Sequence, residues 1–319
     1  MKKILIAEKT TPDVREKLLA VAADRAELVY AETERVTREQ VLDCDALFGN
    51  VDTRLLEDAP RLQWVQLMSS GADVYAGHAP LKGTFALTSA TGAYGVGISE
   101  YMVCMLLVMM KKIPTYLEQN KAAVWRDAGE VMSPEGKRVL IAGTGNLGTE
   151  FARRMRPFGC EIIGVRRRSG DCPPEYDEMH LLDELPELLP QADIVALCLP
   201  GTPETYHLFD EQMLRRCKPG AFLMNVGRGT VIPRSALLDR SVTKRFSGIW
   251  VDVLETEPLP DGDALFGVEN LFITPHITGG WHLDEMRRRI FALAAENLSL
   301  WLDGAPLKRV VDWETGYCK

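Results

Sequence analysis

Three glycines in the middle of the chain have the spacing of a phosphate-binding turn. In the run RVLIAGTGNLG, they form G-x-G-x-x-G where a short apolar strand would turn into a helix, and a second strand-like run, EIIGV, follows. The first glycine allows a tight turn, the second lets the backbone approach a pyrophosphate, and the third lets helix and strand pack closely. We expect a dinucleotide site here, the alternative being an ordinary glycine-rich turn. Its residues would be Gly143, Gly145, Asn146, Leu147 and Gly148.

The residues after EIIGV indicate which dinucleotide binds. An NAD site usually has an Asp or Glu there, which accepts hydrogen bonds from the ribose hydroxyls. This chain instead has Arg166, Arg167, Arg168 and Ser169. A carboxylate would repel a 2′-phosphate, whereas a planar guanidinium can pair with it through two charge-assisted hydrogen bonds. The cluster favours NADP(H), with NAD possible and at least one of the arginines expected to be a solvated turn residue.

Three further polar residues follow apolar runs of strand length. Arg228 follows AFLMNVG, Glu257 lies in DVLETEPLP, and His276 lies in LFITPHITGG. Each alone has an ordinary structural interpretation, as a loop charge, a solvated turn residue or a strand-end histidine. Ligands of parallel sheets bind at the carboxyl ends of the strands, and all three residues are predicted at that edge of one sheet. We therefore expect a joint role beside a nicotinamide-type cofactor.

Strand-like runs alternate with helical patterns along the chain, which predicts parallel sheets joined by right-handed crossovers. Five strands precede a long helix that starts at about Ser99, six strands follow it, and a final helix, 283–303, is long enough to return to the first domain. We expect an α/β protein of two Rossmann-like parallel-sheet domains, one flavodoxin-like and one dinucleotide-binding, with a cleft between them. The first domain would be 1–93 completed by 286–319, and the second 94–285.

The composition is that of a soluble globular protein. Of 319 residues, 46% are hydrophobic and 26% are charged, and this length favours two domains over one core. The net charge of −8 argues against nucleic acid as the main partner. The longest apolar run, 101–110, is about half the length that spans a bilayer and is bounded by charged residues. We expect neither a nucleic-acid nor a membrane partner.

Seven cysteines are scattered without C-x-x-C or zinc-ligand spacing. An odd, unpatterned set fits a reducing compartment, so we expect a cytoplasmic protein with no metal. The N-terminal run MKKILIAEKT has an apolar stretch too short for a signal peptide and is interpreted as a first strand.

Along its whole length the chain resembles the D-isomer-specific 2-hydroxyacid dehydrogenases, the family of glyoxylate/hydroxypyruvate reductases, phosphoglycerate dehydrogenases and NAD-type formate dehydrogenases. Several ordered motifs at family-like spacing are more specific than a glycine turn. The departure VRRRS, where many members have an Asp, favours the NADP-using 2-oxo acid reductases. The motifs are SSGADVY at 69–75, ATGAYGVGISEYMVCMLL, the glycine motif with RPFG, LCLPGTPETYHL, NVGRG, DVLETEPLP, TPHITGG and ENLSLWLDGAPLKRVVD.

The resemblance implies a role for each of the three polar residues. His276 would be the general acid that protonates a ketone oxygen as hydride arrives from the nicotinamide, and the base in the reverse direction. Glu257 would accept a hydrogen bond from the other imidazole nitrogen and favour the charged form. Arg228 would bind the substrate carboxylate and polarise the keto oxygen.

The resemblance also implies the surroundings of the reacting groups. The N–H groups of Ser70, Gly71 and Ala72 would hold the far side of the carboxylate. Around the variable group of the substrate we expect Asn50, Val51, Met68, Tyr94 and Trp281, with core packing an equal alternative for Met68 and Trp281. Further cofactor contacts are expected from Leu199, Pro200, Thr205, Val226, Gly227, Asp252 and Gly279. The remaining histidines, 78, 180, 207 and 282, are interpreted as structural residues without partners like those of His276.

The expected function is NADPH-preferring reduction of small 2-oxo acids to D-2-hydroxy acids, with the reverse oxidation. Alternatives are an NAD-linked dehydrogenase of a larger hydroxy acid and, from another class, a dinucleotide-sensing protein like the C-terminal-binding-protein corepressors. A homodimer is expected around 93–126, because the helix there is apolar on nearly every side. The motifs do not identify the substrate acid, since that depends on pocket shape.

Overall fold

A computed structural model gives the fold and describes residues 1–280 and 283–318. The chain divides into two compact units, Met1–Tyr94 with Trp281–Lys319, and Gly95–Gly280. The first segment of the first unit ends at Tyr94, one residue later than the sequence predicted. Its second segment begins at residue 281 instead of the predicted 286. Both units contain a parallel sheet with helices, so the predicted α/β fold class is confirmed.

The first unit begins with short strands that alternate with helices. These are β1 (Lys2–Ala7), α1 (Pro12–Ala22), β2 (Ala26–Ala31), α2 (Arg38–Leu42), β3 (Ala46–Phe48), β4 (Trp64–Gln66), α3 (Asp73–Ala76) and β5 (Ala86–Thr88). The strands form one parallel sheet in the order β2-β1-β3-β4-β5, which is the flavodoxin-like order. The middle strands are mostly apolar because both faces of a parallel sheet are covered, and Ile4, Leu47 and Trp64 are fully buried.

The second unit has a seven-stranded parallel sheet in the order β12-β11-β10-β9-β6-β7-β8. From the central strand β6, the chain adds β7 and β8 on one side and then β9 to β12 on the other, as in dinucleotide-binding sheets. One strand, β8, was not predicted, because its sequence EMHL has no apolar pattern and its position comes from pairing with β7. The elements are α4 (Gly95–Met110), α5 (Ile113–Lys121), β6 (Arg138–Ala142), α6 (Asn146–Met155), β7 (Glu161–Arg166), β8 (Glu178–Leu181), α7 (Leu185–Leu188), β9 (Ile194–Leu197), α8 (Glu211–Arg216), β10 (Phe222–Asn225), α9 (Arg234–Leu238), α10 (Arg240–Thr243), β11 (Gly248–Val251) and β12 (Leu271–Ile273).

The last elements return to the first unit. They are α11 (Asp284–Leu302), β13 (Val311–Asp312) and β14 (Tyr317–Cys318), the last two forming a small antiparallel pair that was not predicted. The apolar face of α11, with Met286 and Phe291, shares a core with Ile4 of β1. Buried Asn297 of α11 donates to Gln66 of β4 over 3.0 Å. This burial and bonding hold the C-terminal helix on the N-terminal sheet.

Within the described residues, no helix combines the length and apolarity needed to cross a membrane. The same part of the chain contains no group of three or more His, Cys, Asp or Glu side chains arranged to hold a metal ion.

Candidate active site

Three adjacent strand ends bring the predicted polar residues together. Strands β10, β11 and β12 are neighbours in the sheet, and Arg228, Glu257 and His276 lie in the loops that follow them. His276 Nδ1 lies 2.7 Å from Glu257 Oε2. Arg228 is close enough that its charge influences the pKa values of both partners. The arrangement can hold a proton on imidazole beside a fixed guanidinium.

The pair favours the charged form of each partner. The hydrogen bond that His276 donates to Glu257 raises the pKa of His276 above its ordinary value, against an opposing contribution from burial. Burial disfavours the charged Glu257 carboxylate, but hydrogen bonds from His276 and from the Leu254 N–H outweigh it, so the pKa of Glu257 is lowered. His276 therefore holds a proton to a higher pH than an isolated imidazole would.

The loop that carries His276 is wrapped around the buried carboxylate of Asp252. Asp252 accepts hydrogen bonds from the Thr274 hydroxyl at 2.5 Å, the Thr278 hydroxyl at 2.6 Å and the N–H groups of Ile277 and Thr278. The His276 N–H donates to the Asp252 carbonyl over 2.9 Å, and His276 has φ of 51°, in the left-handed region. Because both carboxylate oxygens bond to this loop, the geometry favours a positioning role for Asp252, which the sequence placed among cofactor contacts.

Asn225, which the sequence analysis missed, shapes the turn that carries Arg228. Its side-chain oxygen accepts from the Gly227 N–H at 3.1 Å, and its side-chain nitrogen donates to the Arg228 carbonyl at 3.0 Å. A Cβ at Gly201 would lie 3.2 Å from Arg228 Cγ, so the backbone there supports the arginine stem. An Asn side chain at a strand end commonly bonds to the backbone two residues on, here Gly227, and this turn signal could have identified Asn225.

The glycine turn between β6 and α6 fits a pyrophosphate. A Cβ at Gly143 would lie 2.5 Å from the Cys198 carbonyl oxygen, and one at Gly148 would lie 2.1 Å from the Gly143 carbonyl oxygen. At Gly145, by contrast, a Cβ would meet nothing within 4 Å. No side chain caps the N-terminus of α6, which starts at Asn146 and continues with Leu147. Open space and uncapped N–H groups are what an anion needs at a helix N-terminus.

The arginine cluster at the end of β7 divides into two kinds of residue. Arg166 is half-buried and donates to the carbonyl of Asp171 over 2.8 Å. Arg167 and Arg168 are exposed. The pKa of Glu204 is lowered by a hydrogen bond from Thr202 and, more weakly, by the charge of Arg167, which places Arg167 near the loop after β9. Arg167 and Arg168 are thus more accessible to a 2′-phosphate than Arg166.

The remaining predicted cofactor residues lie at the same sheet edge, and most of them are buried. Thr205 is 3% exposed, and its hydroxyl bonds to the Pro200 carbonyl and accepts from the Thr202 N–H, which shapes this turn. A Cβ at Gly227 would lie 2.3 Å from the Leu199 carbonyl oxygen, so these two turns pack backbone to backbone. Leu199 and Val226 are buried, whereas Pro200 and Gly279 are partly exposed.

In the first unit, Asn50 organises the predicted carboxylate-binding loop. Its side chain accepts from the Met68 N–H and donates to the Ser69 hydroxyl, both at 2.8 Å, and Ser69 donates to the Gly71 carbonyl. No described residue accepts a hydrogen bond from the N–H groups of Ser70, Gly71 or Ala72. Those donors remain available for an anion, and Asn50 is in position to hold them in place.

The predicted residues around the variable group have different environments. Val51 and Met68 are 3% and 2% exposed and belong to apolar cores, which favours packing roles for both. Tyr94 is partly buried, and its hydroxyl donates to the Met68 carbonyl. Trp281 lies outside the described residues.

The interpretation of the other histidines as lacking partners like that of His276 is wrong for three of them, and His282 lies outside the described residues. Each of the three bonds to one or two glutamates. The sequence did not reveal these glutamates because they are distant from the histidine along the chain or lie on or after the unpredicted strand β8. The pairs are His78 with Glu57 at 2.7 Å, His180 with Glu178 at 3.0 Å and Glu184 at 2.8 Å, and His207 with Glu255 at 2.6 Å.

This chain is similar in sequence and in fold to known proteins. Residues 103–278 match the family D-isomer specific 2-hydroxyacid dehydrogenase, NAD binding domain. A glyoxylate reductase of Korarchaeum cryptofilum is 30% identical, over 88% of this chain and 87% of its own length. A glyoxylate/hydroxypyruvate reductase B of Enterobacter is 28% identical over 98% of both chains. The crystal structure of a D-isomer specific 2-hydroxyacid dehydrogenase family protein from Aeromonas salmonicida superposes with a TM-score of 0.88 at 30% identity, covering 98% of this chain and 99% of that one.

These similarities cover both units, and the matched family domain includes the glycine turn and all three strand-end residues. The predicted resemblance is thereby confirmed. The chain belongs to the D-isomer specific 2-hydroxyacid dehydrogenase family and is an oxidoreductase with an NAD(P)-binding domain.

Proposed function

We propose that this protein reduces small 2-oxo acids to D-2-hydroxy acids, with NADPH as the preferred cofactor, and catalyses the reverse oxidation. The observation that carries the proposal is the 2.7 Å contact between His276 and Glu257, beside Arg228, on three adjacent strand ends. The relatives named glyoxylate reductase and glyoxylate/hydroxypyruvate reductase B support a small 2-oxo acid as substrate.

Each residue of the set has a distinct proposed task. Arg228 binds the substrate carboxylate and polarises the keto oxygen, since a planar guanidinium matches two coplanar acceptors. With Nδ1 bonded to Glu257, His276 presents Nε2 as the atom that donates a proton to the keto oxygen. In the first unit, the N–H groups of Ser70, Gly71 and Ala72 are the donors proposed for a carboxylate. When bound, the nicotinamide supplies the hydride.

The proposed cofactor preference rests on the exposed arginines at the end of β7. Gly143, Gly145 and Gly148, with the first turn of α6, would hold the pyrophosphate, and Arg167 with Arg168 would pair with the 2′-phosphate. Replacing Arg167 and Arg168 with alanine should weaken NADPH binding by at least roughly 10-fold, because even a single charge-assisted hydrogen bond contributes about 1.5–3 kcal/mol. NADH binding, measured in the same titration, should change little. Equal losses for both cofactors would show that these side chains do not recognise the 2′-phosphate.

A direct assay tests the activity. Purified protein is mixed with NADPH and glyoxylate, hydroxypyruvate or pyruvate, and the loss of NADPH absorbance is followed, with NADH in parallel. Turnover with NADPH is expected. Faster turnover with NADH and a larger 2-oxo acid would favour the NAD-linked alternative. Cofactor binding without turnover of any 2-oxo acid would favour a dinucleotide sensor.

We also propose a homodimer, and the cytoplasm as its compartment. The described cysteines are all unpaired, which suits reducing conditions. The second unit exposes large apolar side chains on α5 and after it, including Leu117 and Trp125. A second copy of the chain is the partner that would cover them.

A further inference from the structure

Two loops at the carboxyl edge of the second sheet carry different parts of the proposed site. The cofactor loop, 200–209, follows β9 and contains Pro200 and Thr205, and the acid–base loop, 252–257, follows β11 and contains Glu257. A side-chain bond joins them, since His207 Nε2 of the first lies 2.6 Å from Glu255 Oε1 of the second. Neither residue has a role in the proposed chemistry, so the bond calls for its own explanation.

Both ends of this bond are held in place. The His207 N–H donates to the Thr230 carbonyl over 2.8 Å, and its ring stacks on Tyr206 with centroids 3.9 Å apart. The second oxygen of Glu255 accepts from the Arg234 N–H over 3.0 Å. The Arg234 N–H and the His207 ring lower the pKa of Glu255 despite an opposing contribution from burial, so the carboxylate is charged. Both carboxylate oxygens of Glu255 are therefore bonded, one to His207 and one to Arg234, and these bonds hold the acid–base loop in place at Glu255.

The start of that loop determines where Glu257 lies. Glu257 is two residues beyond Glu255, and its Oε1 accepts from the Leu254 N–H over 2.7 Å while its Oε2 contacts His276. A displacement of the loop by about 1 Å would lengthen the contact between Glu257 and His276 beyond hydrogen-bond distance.

We propose that His207 and Glu255 are positioning residues that fix the acid–base loop against the cofactor loop and thereby set the contact between Glu257 and His276. The inference rests on the proposed function, because it assigns His276 the proton transfer. The charged groups acting on His276 are Glu257, Asp252 and Arg228, and of these the pair positions Glu257. Loss of the pair should thus reach His276 through Glu257.

The test compares two substitutions of His207. His207→Phe keeps a ring that can stack on Tyr206 but removes the donor nitrogen, whereas His207→Gln retains an N–H donor of similar reach. NMR titration of the His276 imidazole is the first readout, and kcat/KM for glyoxylate as a function of pH is the second. In His207→Phe, His276 should titrate at lower pH, and kcat/KM should fall about tenfold. His207→Gln should restore both values toward those of the wild type.

A matched control is available at the far edge of the same sheet. His180→Phe removes an imidazole bonded to Glu178 and Glu184 on and after β8, and it should leave the His276 titration unchanged. An unchanged titration in a folded His207→Phe variant, or an equal shift in His180→Phe, would overturn the proposal. If His207→Phe does not fold, Glu255→Gln is measured by the same two readouts with the same expected directions. Absence of turnover in the wild type would refute the proposed function, while the NMR titration still decides on the pair.

Discussion

At the scale of single residues, His276 should have the largest effect on turnover. If its imidazole donates the proton, His276→Ala should lower kcat by roughly 10²–10⁴ and leave the Kd for NADPH nearly unchanged, because general acid catalysis acts in the transition state. Steady-state kinetics and a fluorescence titration of NADPH measure the two quantities. His78→Ala, which removes another carboxylate-bonded imidazole, is the matched control. Near-normal turnover of the His276 variant would exclude it as the acid.

Glu257 should control the pH at which ketone reduction fails. The pKa of His276 is raised, above all by its hydrogen bond with Glu257, so the imidazole is protonated below that raised pKa and loses its proton as the pH rises through it. Glu257→Gln removes the charged partner and lowers the pKa of His276. The alkaline decline of kcat/KM should therefore move to lower pH, which a profile between about pH 5 and 10 would measure. A decline at the wild-type pH would show that Glu257 does not set the protonation of His276.

At the scale of elements, substitutions at two glycines of the turn between β6 and α6 should have different effects, one on stability and the other on cofactor binding. At Gly148 a Cβ would strike backbone, the Gly143 carbonyl oxygen at 2.1 Å, so Gly148→Ala should lower stability by about 1–3 kcal/mol. At Gly145 a Cβ would meet nothing within 4 Å and φ is −75°, so Gly145→Ala should keep the wild-type Tm. It should still weaken NADPH binding, because the methyl group would occupy the space left for the pyrophosphate. Circular dichroism and cofactor titration distinguish the two effects, and unaltered binding by Gly145→Ala would move the phosphate site elsewhere.

Local patterns predicted the central strands of both sheets because those strands are buried on both faces and therefore mostly apolar. The run RVLIA, for example, is β6 within the predicted bounds. Strand β8 and the β13–β14 pair depend on pairing partners that no local pattern reveals.

The same limit applies to contacts between side chains. Glycine spacing and strand ends identified the candidate site, but the bonds of Asp252 to the His276 loop and of His207 to Glu255 join residues 22 to 48 positions apart. Only the fold brings such partners together.

At the scale of the whole molecule, the order of units along the chain makes the second unit an insertion in the first. The chain leaves the first unit after Tyr94 and returns at residue 281, and α11 then completes the core around β1. Ile290 and Leu298 of α11 are almost fully buried there. The first unit therefore cannot complete its core until the C-terminal helix has been synthesised, since that helix supplies one wall of it.

The second unit presents uncovered apolar surface that a second copy of the chain should bury. The sequence predicted a dimer around 93–126, and within that range Met102 and Leu106 of α4 are fully buried in the core of their own unit. Most of the exposed large apolar side chains of the same range lie after α4, where Ile113, Leu117 and Trp125 are 40%, 54% and 103% exposed. Monomeric proteins rarely leave such a group of side chains in water.

We therefore expect light scattering at micromolar concentration to give the mass of two 35.6 kDa chains. Trp125→Glu places a charge on this surface, which would have to be desolvated in an interface, so the variant should have the mass of one chain and an unchanged circular dichroism spectrum. Val74→Glu is the matched control, because Val74 is 72% exposed in the other unit and its replacement should leave the dimer intact. A single-chain mass for the wild type would show that this apolar surface does not mediate self-association, and dissociation by both variants would place the interface elsewhere.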